Sequence, residues 1–346
     1  MVKGFAIIFM VWDHVSRELG GNVESPFGMF VDMILAGPFA APMFMICMGI
    51  GICYSRKQDW KSLIKRGTGI LLLGYVLNVF RYIIPQMILF AMTGDSSYMS
   101  GWIFKLCEVD ILQFAGLSFL AIGLARKWKL SKWVLLVIAS GLSVTGCLLK
   151  GTHTGLTLPD LMFGLFWKTE THAYFTFFHW FIFPVAGMIL GGFLMRCKDK
   201  MLMYKKVIPV ILPIGVIAEL SALAMGIGLI GDFTEYYYMT LLDVVFLICL
   251  AIEWAGVLYY IYPKFPAFMV RTFQKMSQNI NQIYCIHWGI IGLLGIVRVF
   301  SWKDTIISML PMTILSFVIL FISSIAAEYY QNWKKERKLY GNQIIR

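Results

Sequence analysis

The sequence predicts an all-α integral membrane bundle of about ten transmembrane helices, with both termini in the cytoplasm. Three observations carry that reading: an apolar composition, ten stretches long enough to cross a bilayer, and a regular alternation of basic loops. Hydrophobic residues make up 59% of the 346 and charged residues only 14%, whereas a soluble domain holds about 45–50% and about 25%. A hydrocarbon core of about 30 Å needs roughly 20 apolar residues per helix. Stretches near 2–18, 35–54, 67–92, 102–125, 133–149, 174–195, 207–230, 236–262, 279–299 and 304–328 meet or approach that length.

The basic residues set the direction. Arg56, Lys57, Lys61, Lys65 and Arg66 follow the second stretch, and Arg126, Lys127, Lys129 and Lys132 follow the fourth. Arg196, Lys198, Lys200, Lys205 and Lys206 follow the sixth; Lys264, Arg271 and Lys275 follow the eighth. Lys334, Lys335, Arg337, Lys338 and Arg346 close the chain. The alternate loops "TGDSSYMSG" and "GDFTE" have no basic residue. Cytoplasmic loops concentrate Lys and Arg, so both termini are expected inside. The net charge of +11 is therefore a topology signal, and a nucleic-acid partner is excluded. The longest outer loop, "KGTHTGLTLPDLMFGLFWKTETHA", is expected to carry a short helix at the membrane surface, with His153 and His172 solvated. Gly187 and Gly191 are read as helix-packing positions. Seven scattered cysteines show no metal-site or disulfide spacing, so no metal is expected. The opening lacks a small-residue cleavage site, and no cleavable leader is expected.

Ionisable groups inside a bilayer are costly and mark function by default. Counting about 1.5 Å per residue, His14 lies deep on the first span and Asp110 at nearly the same depth on the fourth. Glu108 and Gln113 flank Asp110. By the same count Asn78, Glu219 and Asp243 fall within about 5 Å of that level. His179, in "FFHWF", is expected nearer the outside, and His287, in "IHWG", nearer the cytoplasm. Such convergence suits a wet cavity in a bundle. Lys3 and His14 are eleven residues apart, three helical turns to within about 20°, so they share a face roughly 16 Å apart. A cation at the rim can meet phosphate, and a deep imidazole can move a proton near neutral pH. Acyl-CoA, with a phosphorylated head and a reactive tip, has that shape. Asp13 points about 100° away from His14. The bland reading is that Lys3 is a positive-inside residue and the histidines are packed. A transporter or flippase is the competing class, but no inverted repeat supports it.

"VKGFAIIFMVWDH" resembles the Arg/Lys-x10-His signature of the transmembrane acyltransferase superfamily, which includes acyltransferase family 3 and the heparan-α-glucosaminide N-acetyltransferase group. "LIKRGTGILLLGYVLN", "VDILQFAGLSFL", "FFHWFIFPVAGMILG" and "NINQIYCIHWGII" are similar to further segments of that superfamily in the same order. This sequence departs in having lysine where arginine is usual. The resemblance implies a single acyltransferase-like domain over 1–346, multi-pass in the cell membrane. It implies transfer of an acyl group, usually acetyl, from cytoplasmic acetyl-CoA to a hydroxyl or amine, commonly of a carbohydrate in the cell envelope. His14 carries over as the catalytic histidine, with Asp110 or Asp13 holding its tautomer. Lys3 and Arg66, with Asn78, Arg81 and Gln113, are the candidates for binding the donor. His179, His287 and Glu108 are the candidates for binding the acceptor. The lipid bilayer is the surrounding partner, and a homodimer is compatible with the sequence.

Overall fold

A computed structural model of the protein describes residues 1–169, 173–229 and 233–344; His172 and Arg346 lie outside the described residues. The regular elements among them are helical. They include α1 (Val2–Glu18), α2 (Ala41–Tyr54), α3 (Trp60–Asn78), α4 (Ile84–Thr93), α5 (Ile111–Lys127) and α6 (Lys132–Leu149). α7 (Ile182–Arg196), α8 (Lys200–Ala224), α9 (Leu241–Ile261), α10 (Ala267–Gln278), α11 (Ile280–Ser301) and α12 (Met309–Ile344) follow. Eight helical stretches among the described residues are long and apolar enough to cross a membrane. α1 and α5, the other two expected spans, have 17 residues each, about 25 Å of helix.

Several boundaries differ from the sequence reading, each for a local reason. The stretch expected as one span over 102–125 is broken: a turn of helix at Trp102–Leu106 ends, and α5 begins only at Ile111. Asp110 is therefore the N-cap of α5 rather than a mid-helix residue, and it forms a capping box with Gln113. Asn78 compensates the break by donating Nδ2 to the carbonyls of Leu106 (2.9 Å) and Glu108 (2.8 Å). α8 starts at Lys200 rather than 207 because Asp199 accepts from the Leu202 N–H, a side-chain cap that terminates orphan donors. α9 starts at Leu241 because Asp243 folds back on Thr240 N–H and on Leu229 N–H; Asp243 is a turn-holding group. In the loop expected outside, a short helix runs Thr157–Phe163. There Asp160 accepts from the N–H groups of Thr154 and Gly155, and these bonds hold its carboxyl below the usual carboxylate range.

The chain forms two compact units. The first comprises Met1–Ala40, Ile84–Tyr98 and Ile261–Arg346, and the second comprises Ala41–Ile83 and Met99–Tyr260. In the first, α1 packs against α10, α11 and α12. Ile7, Val11 and Val15, four apart, have no exposure at all. In the second, α3 pairs with α5, and α2 with α7, which also packs on α6. Glycines set the α2–α7 approach. A Cβ on Gly187 would lie 2.1 Å from the Ile46 carbonyl oxygen, and one on Gly49 would lie 2.0 Å from that of Pro184. Gly191 faces the Ile50 backbone in the same way, at 3.1 Å. Small residues bring membrane helices into backbone contact, where dispersion replaces the missing hydrophobic drive.

The tight crossing gives a stability test. Gly187→Ala should cost about 1–3 kcal/mol by overpacking, read as a lower melting temperature in detergent. Gly51→Ala, on the same helix as Gly49 with nothing within 4 Å of its added Cβ, should be nearly silent. Equal melting of the two variants would remove the glycine contact from the account.

Candidate functional site

In the first unit, two histidines meet. α1 is unbroken from Val2 to Glu18, so the Lys3–His14 spacing holds on a real helix. His14 Nδ1 lies 2.9 Å from Nε2 of His287 on α11. The rings are nearly parallel, 8° apart, and Trp288 lies against the His14 ring at 4.4 Å between centroids. His287 is fully buried while His14 is partly exposed. His287 Nδ1 in turn lies 3.0 Å from the carbonyl oxygen of Ile283, one helical turn earlier. Trp12, beside this pair on α1, donates Nε1–H to Thr313 on α12 at 2.9 Å, which ties α1 to its neighbour.

The tautomers follow from these bonds. A carbonyl can only accept, so His287 must carry its proton on Nδ1. Its Nε2 is then an acceptor when the ring is neutral, since a neutral imidazole has one donor and one acceptor. His14 must therefore donate from Nδ1, and its lone pair is left on Nε2. Outer hydrogen bonds of this kind fix which histidine nitrogen does chemistry. Protonation of His14 at Nε2 would leave the Nδ1–H bond to His287 intact.

Asp13 belongs to a different group. Arg17 Nε donates to Asp13 at 2.7 Å and its Nη2 pairs with Asp32. Asp32 sits on a π-helical stretch, Phe30–Ala36, a geometry frequent at functional sites. Lys3 is half-buried in the first turn of α1. The helix there lies close on α10, where a Cβ on the neighbouring Gly4 would be 2.6 Å from the Phe273 ring.

In the second unit a buried ionic cluster collects most of the other candidates. Arg81, on a second π-helical stretch Val79–Ile83, donates Nη1 to Asp110 at 2.6 Å and lies 3.9 Å from Glu108. Glu108 also accepts from Tyr82 Oη and from Lys105 Nζ at 3.2 Å. Gln113 returns Oε1 to the Asp110 N–H at 3.2 Å. Carboxylates taken out of water persist when cations and hydrogen bonds satisfy them. Asn78, Arg81 and Gln113, expected at the donor, and Glu108, expected at the acceptor, are all engaged in this internal network. The exposed Arg66 stacks over Phe119 at 4.4 Å. His179 is buried, with Nδ1 2.8 Å from Thr176 Oγ1.

The pairing corrects one expectation: Asp13 is taken by Arg17 instead of holding the His14 tautomer. His14 bonds His287, a residue expected at the acceptor. Asp110 pairs with Arg81 and caps its own helix. The sequence reading did not single out Arg17, Asp32, Tyr82, Lys105 or Trp288. Arg17 was legible as i+4 from Asp13. The Tyr82–Glu108 bond, across separate elements, left no local signal.

Comparison with known proteins adds one decisive match. The model of the heparan-alpha-glucosaminide N-acetyltransferase catalytic family matches residues 1–224, well over half of the chain. The chain belongs to that family. No curated protein matches the chain, and no solved structure does. Within the matched residues lie Lys3, His14 and the Arg81–Asp110 cluster; His287 lies beyond them. Among the described residues no group of three or more His, Cys, Asp or Glu is placed to hold a metal ion.

Proposed function

We propose that this protein is a membrane acetyltransferase acting on a carbohydrate, with acetyl-CoA as donor and a hydroxyl or amine of a cell-envelope carbohydrate as acceptor. The observation that carries the reading is the Ile283–His287–His14 chain in a member of this family. In a neutral pair it leaves a basic nitrogen, His14 Nε2, on a partly exposed ring. The acceptor attacks the thioester carbonyl, and His14 Nε2 takes the proton that the acceptor loses. The carbon–sulfur bond breaks, and the departing CoA thiolate recovers that proton from His14. Nδ1 of His14 stays bonded to His287 throughout, so the ring does not turn between the two transfers. Lys3 supplies a cation for the donor's phosphate, three turns from His14 on the same helix face. Family membership favours the enzyme over a transporter.

Two sets of variants test this. Acetyl transfer by purified protein should fall about 10²–10⁴-fold in His14→Ala, the usual loss for a general base. His287→Ala should lower kcat about 10–100-fold, as removal of a supporting hydrogen bond does, with KM for acetyl-CoA unchanged. The double variant should be no slower than His14→Ala alone, because groups acting as a unit are not additive. Wild-type turnover in His14→Ala would end the proposal. A change confined to KM in His287→Ala would return His287 to acceptor binding.

The donor contact is tested by binding. Lys3→Ala should raise the acetyl-CoA Kd roughly five- to thirty-fold, for loss of one charge-assisted contact of about 1–2 kcal/mol. Lys3→Arg should keep it, since either cation meets phosphate. Calorimetric titration measures both. No binding of any CoA species to the wild type would defeat the acyltransferase reading. Unchanged affinity in Lys3→Ala would leave the lysine a topology signal.

A further inference from the structure

Within the second unit, the ends of four helices enclose a basic cavity that the chemistry above does not use. The C-terminal ends of α2, α5 and α7 and the start of α6 surround a space of about 330 Å³. Arg126, Lys132 and Arg196 line it together with Gln58 and Ser131, and no carboxylate does. None of the three cations is in an ion pair among the described residues. Arg126 and Arg196 stand in the last turns of α5 and α7, where a cation offsets the helix dipole. Lys132 stands in the first turn of α6. A cation there opposes the dipole, which favours negative charge at that end. An anion in the cavity would offset that cost.

Space is made for this lysine. A Cβ on Gly192 would lie 2.7 Å from Lys132 Nζ. The same Nζ lies 5.7 Å from the ring of Trp133 and 5.5 Å from that of Phe193. Those two rings line a second hollow of about 350 Å³, entirely apolar, continued by Leu190, Met203, Val207 and Ile252. A tricationic pocket thus adjoins an apolar groove, with Lys132 and its two rings at the join. A groove alone would take any acyl chain. The pocket beside it selects by charge.

We propose that this is a binding site for an anionic phospholipid, with the head-group phosphate among Arg126, Lys132 and Arg196 and an acyl chain along the groove. Basic pockets between membrane helices on the cytoplasmic side recognise anionic head groups in this way. The pocket lies among the basic loops expected on that side. The lipid would join the ends of α2, α5, α6 and α7 through one shared anion. A soluble phosphate would fit the cations equally well but would leave the groove without a role.

The test is lipid binding by the purified full-length chain, followed by native mass spectrometry and by titration in detergent. Phosphatidylglycerol should bind in preference to phosphatidylcholine of the same chains. Each cation removed should weaken phosphatidylglycerol roughly fivefold, so the triple change Arg126→Gln, Lys132→Gln, Arg196→Gln should lose on the order of a hundredfold and abolish the preference. Phosphatidylcholine, whose choline offsets its phosphate, should lose much less. Should the triple variant fail to fold, Lys132→Gln against Lys132→Arg decides, with loss expected only in the first. Inorganic phosphate, glycerol phosphate and CoA are then offered as competitors at equal concentration, and none should displace the lipid. Preference retained in the triple variant, no loss in Lys132→Gln, or displacement by a soluble phosphate would each overturn the proposal.

Discussion

The hydrogen bond from His14 to His287 is the contact on which the functional account depends, and its strength comes from where the second ring is held. His287 is fully buried on α11, and its Nδ1 is committed to a backbone carbonyl of its own helix. Turning the ring would give up that bond, and a buried donor left unpaired costs about 1–3 kcal/mol. His14 inherits this rigidity while remaining partly exposed. Trp288 against one ring and the Trp12–Thr313 bond beside it keep α1 from rotating. A base must be oriented as well as basic, and here orientation is supplied by packing.

The second unit solves a different problem, the satisfaction of polar groups buried among apolar helices. Where the helix before α5 breaks, Asn78 takes up the freed carbonyls, and Asp110 caps the helix that restarts. Arg81 and Lys105 bring two cations to the two carboxylates Glu108 and Asp110. The π-helical turn at Val79–Ile83 places Arg81 and Tyr82 on this cluster. Close backbone approach through Gly49 and Gly187 holds α2 against α7 without needing any polar contact.

Membrane class and helix content were legible from composition and apolar runs, because twenty-residue stretches leave a signal no soluble fold produces. Boundaries failed where a side chain caps a helix earlier than the apolar run, as Asp199 does, or later, as Asp110 does, since an apolar window cannot see a cap. The depth count for Asp110 presumed a continuous helix through Cys107–Asp110, and the helix is broken there. His14 stood out by its spacing from Lys3 on one helix. His287 was singled out as well, but its pairing with His14 was not legible, because a separation of 273 residues leaves no periodicity to read. Asp13 was adjacent to His14 in sequence and therefore tempting, but on a helix adjacent residues diverge, and Arg17 at i+4 was the better match. The tricationic pocket was visible only as two separate basic loops until folding brought them to one cavity.

In the proposed mechanism the neutral pair holds His14 in the Nδ1–H form, with Nε2 as the base. Nitrogen-15 spectroscopy of the histidine-labelled protein in bilayers measures this, with His14→Asn and His287→Asn used to assign the signals. The expected spectrum has a protonated Nδ1 and an unprotonated Nε2 on His14 at alkaline pH, with Nδ1 of His287 protonated as well. In His287→Ala, the His14 ring should become a mixture of both tautomers. A His14 ring protonated on Nε2 in the wild type, or one whose tautomer is indifferent to loss of His287, would contradict it.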